Sequence, residues 1–257
     1  MKNMTMADYA SITEQEAVKL IAAHPLPVMF IDTCNFGNIF RDALDGRSDS
    51  AIKQLEWLND AGAPNGFHLA LSVQVIDEYY NHKNFLEPAI NRLQTQIECW
   101  QSMLKTYGKL KKPVENPYRQ NFDVLSASKL YEEIFQEIGA VFTKALILEA
   151  SATAQQWSRQ RQHDFKRPAQ RAKNSYGDCE ICGTSLSLMK ELRNIGFDAD
   201  AFFVSANTSD YAQDNCLHDD LEGEFDAVRM EYCSTFKHAY GEIRRRCAMN
   251  MRGNSGH

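Results

Sequence analysis

Four consecutive apolar residues, Val28-Met29-Phe30-Ile31, stop abruptly at the acidic Asp32. A run of this length has neither helical nor alternating periodicity, which is typical of a strand buried on both faces in a parallel sheet. The run therefore favours an α/β fold. Because open α/β sheets bind ligands in the crevice outside the carboxyl ends of their strands, we expect Asp32 to lie at the functional edge.

Composition limits the classes of protein that fit. The chain has 257 residues, 44% of them hydrophobic, which is enough for a substantial core, and its formal net charge is -6. That charge argues against a general nucleic-acid coat protein but is compatible with a carboxylate metal site. No apolar run approaches the roughly 20 residues of a membrane helix, and the start lacks a secretory apolar segment. Seven cysteines, an odd number, favour reduced thiols. We expect a cytoplasmic protein with no membrane partner.

Two further apolar runs are predicted to be strands of the same sheet. His68–Ser72 is followed by a helical segment that contains Glu78, with Ser72 as its candidate N-cap. Ala201–Val204 is followed by a polar turn that contains Asn207 and Asp210. Both runs therefore deliver acidic or amide side chains to the edge where Asp32 is expected.

A predicted helix that runs through Arg193 and stops at Gly196 begins with Asp178 in its first turn. The three- and four-residue spacing places this carboxylate on the face of Cys182, Ser185, Met189 and Leu192. Asp178 is thus expected to point inward, where a carboxylate needs a cation or hydrogen-bond donors.

These carboxylates, crowded into one crevice, would repel one another unless a divalent cation were bound. The candidate ligands are oxygen-bearing side chains, which select Mg²⁺ or Mn²⁺ over zinc. Such clusters are used in phosphoryl transfer, where metal ions activate water and stabilise charge on phosphate. The candidate site residues are Asp32, Glu78, Asp178, Asn207 and Asp210.

Residues 84–171 are interpreted as two long helices rather than additional sheet. Their apolar residues recur at helical spacing, and we expect an antiparallel helical hairpin inserted into a single α/β domain of residues 1–257. This insertion is the expected place for a protein partner or a homodimer contact. The chain should end with a strand, Val228 to Cys233, and a C-terminal helix at about 234–247.

The order and spacing of these motifs resemble the PIN-domain nucleases, within a PIN-like group that carries a helical insertion. The resemblance spans nearly the whole chain outside the insertion. It rests on Phe30-Ile31-Asp32-Thr33, Ser72-Val73-Gln74-Val75-Ile76-Asp77-Glu78, Gly177-Asp178, Phe203-Val204-Ser205-Ala206-Asn207-Thr208-Ser209-Asp210-Tyr211 and Leu217-His218-Asp219-Asp220-Leu221.

The resemblance implies a three-layer α/β/α fold, with Asp32, Glu78 and Asp178 as metal ligands. Two departures from the family's motifs stand out. Asn207 occupies the place of the family's usual fourth Asp, so that either Asn207 or Asp210 fills the fourth position. The usual Asn two residues after the first Asp is Cys34 here, with Asn35 one place later.

The implied activity is a metal-dependent endoribonuclease, and bacterial relatives of the family often act as toxins or in anti-phage defence. A nuclease directed at single-stranded or flap DNA is an alternative, because a metal-bridged site contacts the phosphate and does not distinguish ribose from deoxyribose. A second alternative is a catalytically weak nucleic-acid-binding or scaffold subunit, suggested by Asn207. Substrate contacts are assigned to Thr33, Asn35, Arg167, Arg171, Lys173 and Ser205.

Overall fold

The structure is a computed structural model. It describes residues 9–44, 47–81, 124–171, 175–213 and 216–253, together with the single residues 95 and 102. Most of the first helix predicted for the insertion lies outside these residues, and so does Lys173.

The described chain alternates strands and helices over most of its length. The strands are β1 (Ser11–Ile12), β2 (Val28–Ile31), β3 (His68–Ser72), β4 (Leu146–Leu148), β5 (Ala201–Val204), β6 (Ala212–Gln213), β7 (Cys216–Leu217) and β8 (Met230–Cys233). The helices are α1 (Glu14–Ala23), α2 (Thr33–Leu44), α3 (Ser48–Leu58), α4 (73–81), α5 (Val124–Phe142), α6 (Ala152–Asp164), α7 (Tyr176–Asn194), α8 (Thr208–Tyr211), α9 (Asp219–Ala227) and α10 (Phe236–Gly253).

Among the described residues, six strands form one sheet in the order β1-β4-β3-β2-β5-β8, and every pair of neighbours in it is parallel. The predicted α/β fold with a mainly parallel sheet is confirmed. From β2 the chain proceeds to β3 and β4 on one side, and from β5 it proceeds to β8 on the other. The strand order therefore reverses between β2 and β5, and a crevice forms outside the carboxyl ends of strands at such a point.

Helices cover both faces of the sheet. Phe202 and Phe203 are consecutive residues of β5 and point to opposite faces. The Arg246 guanidinium of α10 lies over the Phe202 ring, whereas Phe203 packs edge-on against Phe225 of α9. Both phenylalanines are fully buried. The sheet is thus the middle of three layers, and its strands read as continuous apolar runs because neither face meets water.

The prediction of two long helices with no sheet between 84 and 171 is wrong at residues 146–148. There the chain forms β4, which pairs with both β1 and β3, so the predicted second helix is in fact α5, β4 and α6. The helical spacing of apolar residues continues across the break, at Val141, Ala145 and Leu148. A strand of only three residues therefore cannot be recognised from this pattern. The C-terminal helix also runs further than predicted, to Gly253.

Helices α6 and α7 pack closely, and Gly183 marks their contact. A Cβ at this position would lie 2.9 Å from Cε3 of Trp157 and 3.1 Å from the Ala154 carbonyl oxygen. Only a residue without a side chain fits there. Within the described ranges, none of the helices has the length and apolar character needed to span a membrane.

Candidate active site at the carboxyl edge of the sheet

Asp32 lies where the strand order reverses. The register pairs Ile31 with Val204, so Asp32 and Ser205 leave β2 and β5 side by side. The Ser205 hydroxyl donates to Oδ2 of Asp32 at 2.6 Å, and the Cys34 thiol donates to the same oxygen at 3.2 Å. Asp32 is 3% exposed. The carboxylate predicted from the sequence to mark the site is therefore buried and held by two donors at the crevice.

Burial raises the pKa of the Asp32 carboxyl above its ordinary value. The hydrogen bonds from Ser205 and Cys34 act in the opposite direction, and the nearby negative charge of Glu78 raises the pKa again. Desolvation and a like charge both disfavour the ionised form, and a cation would offset both effects. The electrostatics of Asp32 thus favour a positively charged ligand.

Glu78 reaches the same crevice from α4. Its Oε1 accepts a hydrogen bond of 2.9 Å from the Gln74 amide, one turn earlier on the helix. The same oxygen lies 2.2 Å from the position that a Cβ of Gly177 would occupy. Glu78 therefore rests against Gly177, the residue before Asp178 in the first turn of α7, and the absence of a side chain at Gly177 makes room for it.

Asn207 joins Asp178 to the turn that follows β5. Its amide nitrogen donates to Oδ1 of Asp178 at 3.2 Å and to Oδ2 of Asp210 at 2.6 Å. Its backbone N–H donates to the Ser205 hydroxyl at 3.1 Å. A continuous set of hydrogen bonds thus runs from Asp32 through Ser205 and Asn207 to two further carboxylates.

Asp210 is fully buried, whereas Asn207 is partly exposed. Besides Asn207, the Asp210 carboxylate accepts hydrogen bonds from the Gln170 amide and the Ser209 hydroxyl. The single proton of the Ser209 hydroxyl is shared with Oδ1 of Asn207, which at 3.0 Å is nearer than Oδ1 of Asp210 at 3.4 Å. Of the two residues considered for the fourth position, Asn207 is the more exposed, and Asp210 accepts a hydrogen bond from its amide nitrogen.

Two tyrosines hold backbone carbonyls of the site residues. The Tyr211 hydroxyl donates to the Asp178 carbonyl at 2.9 Å, and the Tyr232 hydroxyl donates to the Ser205 carbonyl at 2.8 Å. Burial raises the pKa of Tyr211, as do the charges of Asp32 and Asp178. These phenols stay protonated and act as fixed donors that hold the site backbone.

The polar residues assigned to substrate beside Asp32 have different environments. Ser205 is engaged with Asp32, and the Asn35 amide donates to the Val204 carbonyl at 3.0 Å, so the structure accounts for both without a substrate. Thr33 begins α2, and its buried hydroxyl oxygen has no hydrogen-bond partner among the described residues.

Two of the three basic residues assigned to substrate lie on the segment after α6. Nη1 of Arg167 donates to the Ser209 carbonyl at 2.8 Å, which fixes this segment against the turn of Asn207 and Asp210. Arg171 is exposed, and its guanidinium lies 5.3 Å from the centre of the Phe165 ring. The assignment of Lys173 falls outside the described residues.

The donor set has the chemistry of a hard-cation site. Asp32, Glu78, Asp178 and Asn207 offer only oxygen ligands, which suit Mg²⁺ or Mn²⁺. Within the described part of the chain, no three His, Cys, Asp or Glu side chains stand together as a preformed ligand group. Amide side chains engage two of these carboxylates instead, since Gln74 donates to Glu78 and Asn207 donates to Asp178. The ligand atoms of these residues therefore suit Mg²⁺ or Mn²⁺. When the ion binds, it would replace the amide hydrogen bonds that the carboxylates now accept.

Sequence reasoning missed three residues that shape the site. Gln74 precedes Glu78 by four residues on one helix, and this spacing could have revealed the pair. Gln170 contacts Asp210 across 40 residues of sequence, and no local pattern signals that contact. The Cys34 thiol, noted only as a departure from a motif, donates to Asp32 and accepts the Ala206 N–H at 3.2 Å.

Comparisons with protein-family models, with curated proteins and with solved structures find no match to this chain.

Proposed function

We propose that this chain is a divalent-metal-dependent endoribonuclease that hydrolyses RNA phosphodiester bonds. The observation that carries the proposal is the environment of Asp32. This carboxylate is buried where the strand order reverses, its pKa is raised, and the charge of Glu78 acts on it. Burial and a neighbouring negative charge both destabilise the ionised form of an acid, and a cation bound in the crevice would offset both effects.

Three carboxylates are the proposed ligands for Mg²⁺ or Mn²⁺, and each comes from a different element. Asp32 follows β2, Glu78 lies on α4, and Asp178 lies in the first turn of α7. In the described part of the chain, the Ser205 hydroxyl and the Cys34 thiol both donate to Oδ2 of Asp32, so Oδ1 is the oxygen proposed to face the ion.

Asn207 and Asp210 have different proposed roles. Asn207 is partly exposed and supplies an amide that orients ligands in the crevice, without adding a negative charge. Asp210 is a positioning residue, because its carboxylate is enclosed by the donors of Asn207, Gln170 and Ser209.

When bound, the divalent ion supplies an activated water molecule and charge stabilisation at the scissile phosphate. The chain's residues orient the carboxylates and attract the polyanion. Arg167 and Arg171 lie on the segment packed against the Asn207 turn, where positive charge would offset the repulsion between acidic side chains and phosphate. Attack by water rather than by a ribose 2′-hydroxyl predicts products with 5′-phosphate and 3′-hydroxyl ends.

The experiment is cleavage of labelled RNA and single-stranded DNA in Mn²⁺, Mg²⁺ or EDTA, with wild type beside Asp32→Asn and Asp178→Asn. We expect metal-dependent cutting of RNA that each substitution abolishes, with 5′-phosphate ends. Asp198→Asn is a matched control, because this aspartate is exposed and pairs only with Arg229 in the described structure.

Other outcomes would replace the proposal. Cutting of DNA alone would make the chain a deoxyribonuclease that uses the same carboxylates. Cyclic-phosphate ends would contradict attack by water. If neither polymer is cut and no divalent ion binds, the catalytic proposal fails and a scaffold role takes its place.

A further inference from the structure

Phe165 is an aromatic side chain in an unusual position. It follows α6 as the C-cap residue and is 51% exposed. Its backbone has φ 53° and ψ 34°, the left-handed conformation that glycine and asparagine usually adopt at this position. A phenylalanine here does not bury its ring, and its left-handed backbone is unfavourable for a residue with a side chain. Residues that break local rules in this way are often functional.

The conformation is fixed by the end of α6. The Lys166 N–H donates to the Arg161 carbonyl at 3.1 Å, and the Phe165 N–H donates to the carbonyls of Arg161 and Gln162. These hydrogen bonds hold the backbone that carries the ring. The exposed guanidinium of Arg171 lies 5.3 Å from the ring centre, within the range of a cation–π contact.

This aromatic residue lies close to the proposed catalytic turn. Two residues further on, Arg167 donates to the Ser209 carbonyl, and five residues further on, Gln170 donates to the Asp210 carboxylate. Five residues span at most about 18 Å, so the Cα atoms of Phe165 and Gln170 lie within that distance of each other. A strand of nucleic acid leaving the crevice can therefore reach it.

The segment that carries the ring is basic, and two acidic side chains of α9 contact it: Asp220 accepts the Arg167 N–H, and Glu224 pairs with Arg161. Residues 157–171 contain five Arg or Lys and one Asp, in a chain whose net charge is -6. Arg161 is buried and engaged with Glu224, so the exposed positive charge comes from its neighbours. Aromatic rings set among cations are the usual platform for unpaired bases, because every base has a face that can stack.

We propose that Phe165 and Arg171 form a subsite that stacks an unpaired base of single-stranded nucleic acid beside the active site. The proposal deepens the nuclease function and rests on it for the choice of ligand. It assigns a preference for unpaired over paired strands, because a base within a duplex cannot expose its face to the ring.

The test is fluorescence anisotropy with a labelled oligouridylate in EDTA, so that the oligonucleotide stays intact. Phe165→Ala should weaken binding roughly 5- to 150-fold, the loss expected for one base–aromatic stack. Phe165→Trp should retain wild-type affinity. Ile195→Ala is the matched control, because Ile195 is 57% exposed and lies at the far end of α7 from the site.

Phe165→Gly separates binding from folding. Glycine accepts the left-handed backbone at no steric cost, so this variant should melt no lower than wild type while it binds the oligouridylate as weakly as Phe165→Ala. A ring needed only for folding would give the opposite result, lower stability with unchanged affinity. Unchanged affinity in both variants, or equal loss for a duplex of the same length, would overturn the subsite.

Cleavage in Mn²⁺ is measured on the same proteins. If binding depends on Phe165 but the protein cuts no nucleic acid, the proposed subsite is supported and the proposed nuclease function is refuted. If the protein cuts nucleic acid but its binding does not depend on Phe165, only the proposed subsite is refuted. Wild type that binds no oligonucleotide at all would overturn the subsite.

Discussion

Gly177→Ala should impair the proposed metal site without removing any of its ligands. The added Cβ would lie 2.2 Å from Oε1 of Glu78 and 2.9 Å from the amide nitrogen of Gln74. Non-bonded atoms in good contact are about 3.5 Å apart, so the carboxylate has to move by about 1 Å or more. Displacements of that size in a catalytic group can reduce rates about 100-fold.

The same substitution should cost the fold little. Glu78 presents the far end of a flexible side chain, which can rotate away from the new methyl group. Replacing glycine by alanine contributes about 0.5–1 kcal/mol of stability in the middle of a helix, and we expect a smaller gain at Gly177, the second residue of α7. That gain corresponds to a rise of a few degrees at most in the midpoint of thermal unfolding.

The assay combines thermal unfolding, calorimetric Mn²⁺ titration and RNA cleavage. We expect Gly177→Ala to bind Mn²⁺ roughly 10- to 100-fold more weakly and to melt no lower than wild type. Gly223→Ala is the control, because a Cβ at this position in α9 meets no atom within 4 Å. Wild-type metal binding and cleavage in Gly177→Ala would refute the placement of Glu78 in the site.

Three further predictions concern the support of the site and the fold. Ser205→Ala removes a hydrogen bond that lowers the pKa of Asp32, so the pH at which Mn²⁺ binding is half-maximal should rise, as titrations at several pH values would show. Gly183→Ala should lower the free energy of unfolding by about 1–3 kcal/mol in urea, because its Cβ would collide with Trp157 and a backbone carbonyl of α6. Arg193→Lys should lower it by about 2 kcal/mol or more in the same assay, because this guanidinium donates to four backbone carbonyls.

The central strands could be predicted from the sequence because both of their faces are buried. Val28–Ile31, His68–Ser72 and Ala201–Val204 are short apolar runs bounded by polar turns, and each is a strand of the parallel sheet. Ser11–Ile12 and Leu146–Leu148 are too short to show any periodicity, and the second continues the spacing of a preceding helix. Their strand character depends on pairing with distant residues, 136 positions apart between these two strands and 76 positions apart between Leu146–Leu148 and β3.

The candidate site could be predicted only in outline. Asp32 and Asp178 could be placed by local rules, at a strand end and at a helix start. The different roles proposed for Asn207 and Asp210 could not be predicted, because they depend on the contact that Gln170, from a distant segment, makes with Asp210. Hydrogen bonds of this kind are set by tertiary packing, which a single sequence does not encode locally.

The most direct measurement is a calorimetric titration of wild type and Asp32→Asn with Mn²⁺. Asparagine keeps the shape of Asp32 and can still accept hydrogen bonds from Ser205 and Cys34, so circular dichroism should show both proteins folded. We predict saturable binding to wild type that Asp32→Asn abolishes. Wild type that binds no Mn²⁺, or a variant that binds it equally well, would contradict a metal centre at the carboxyl edge of the sheet.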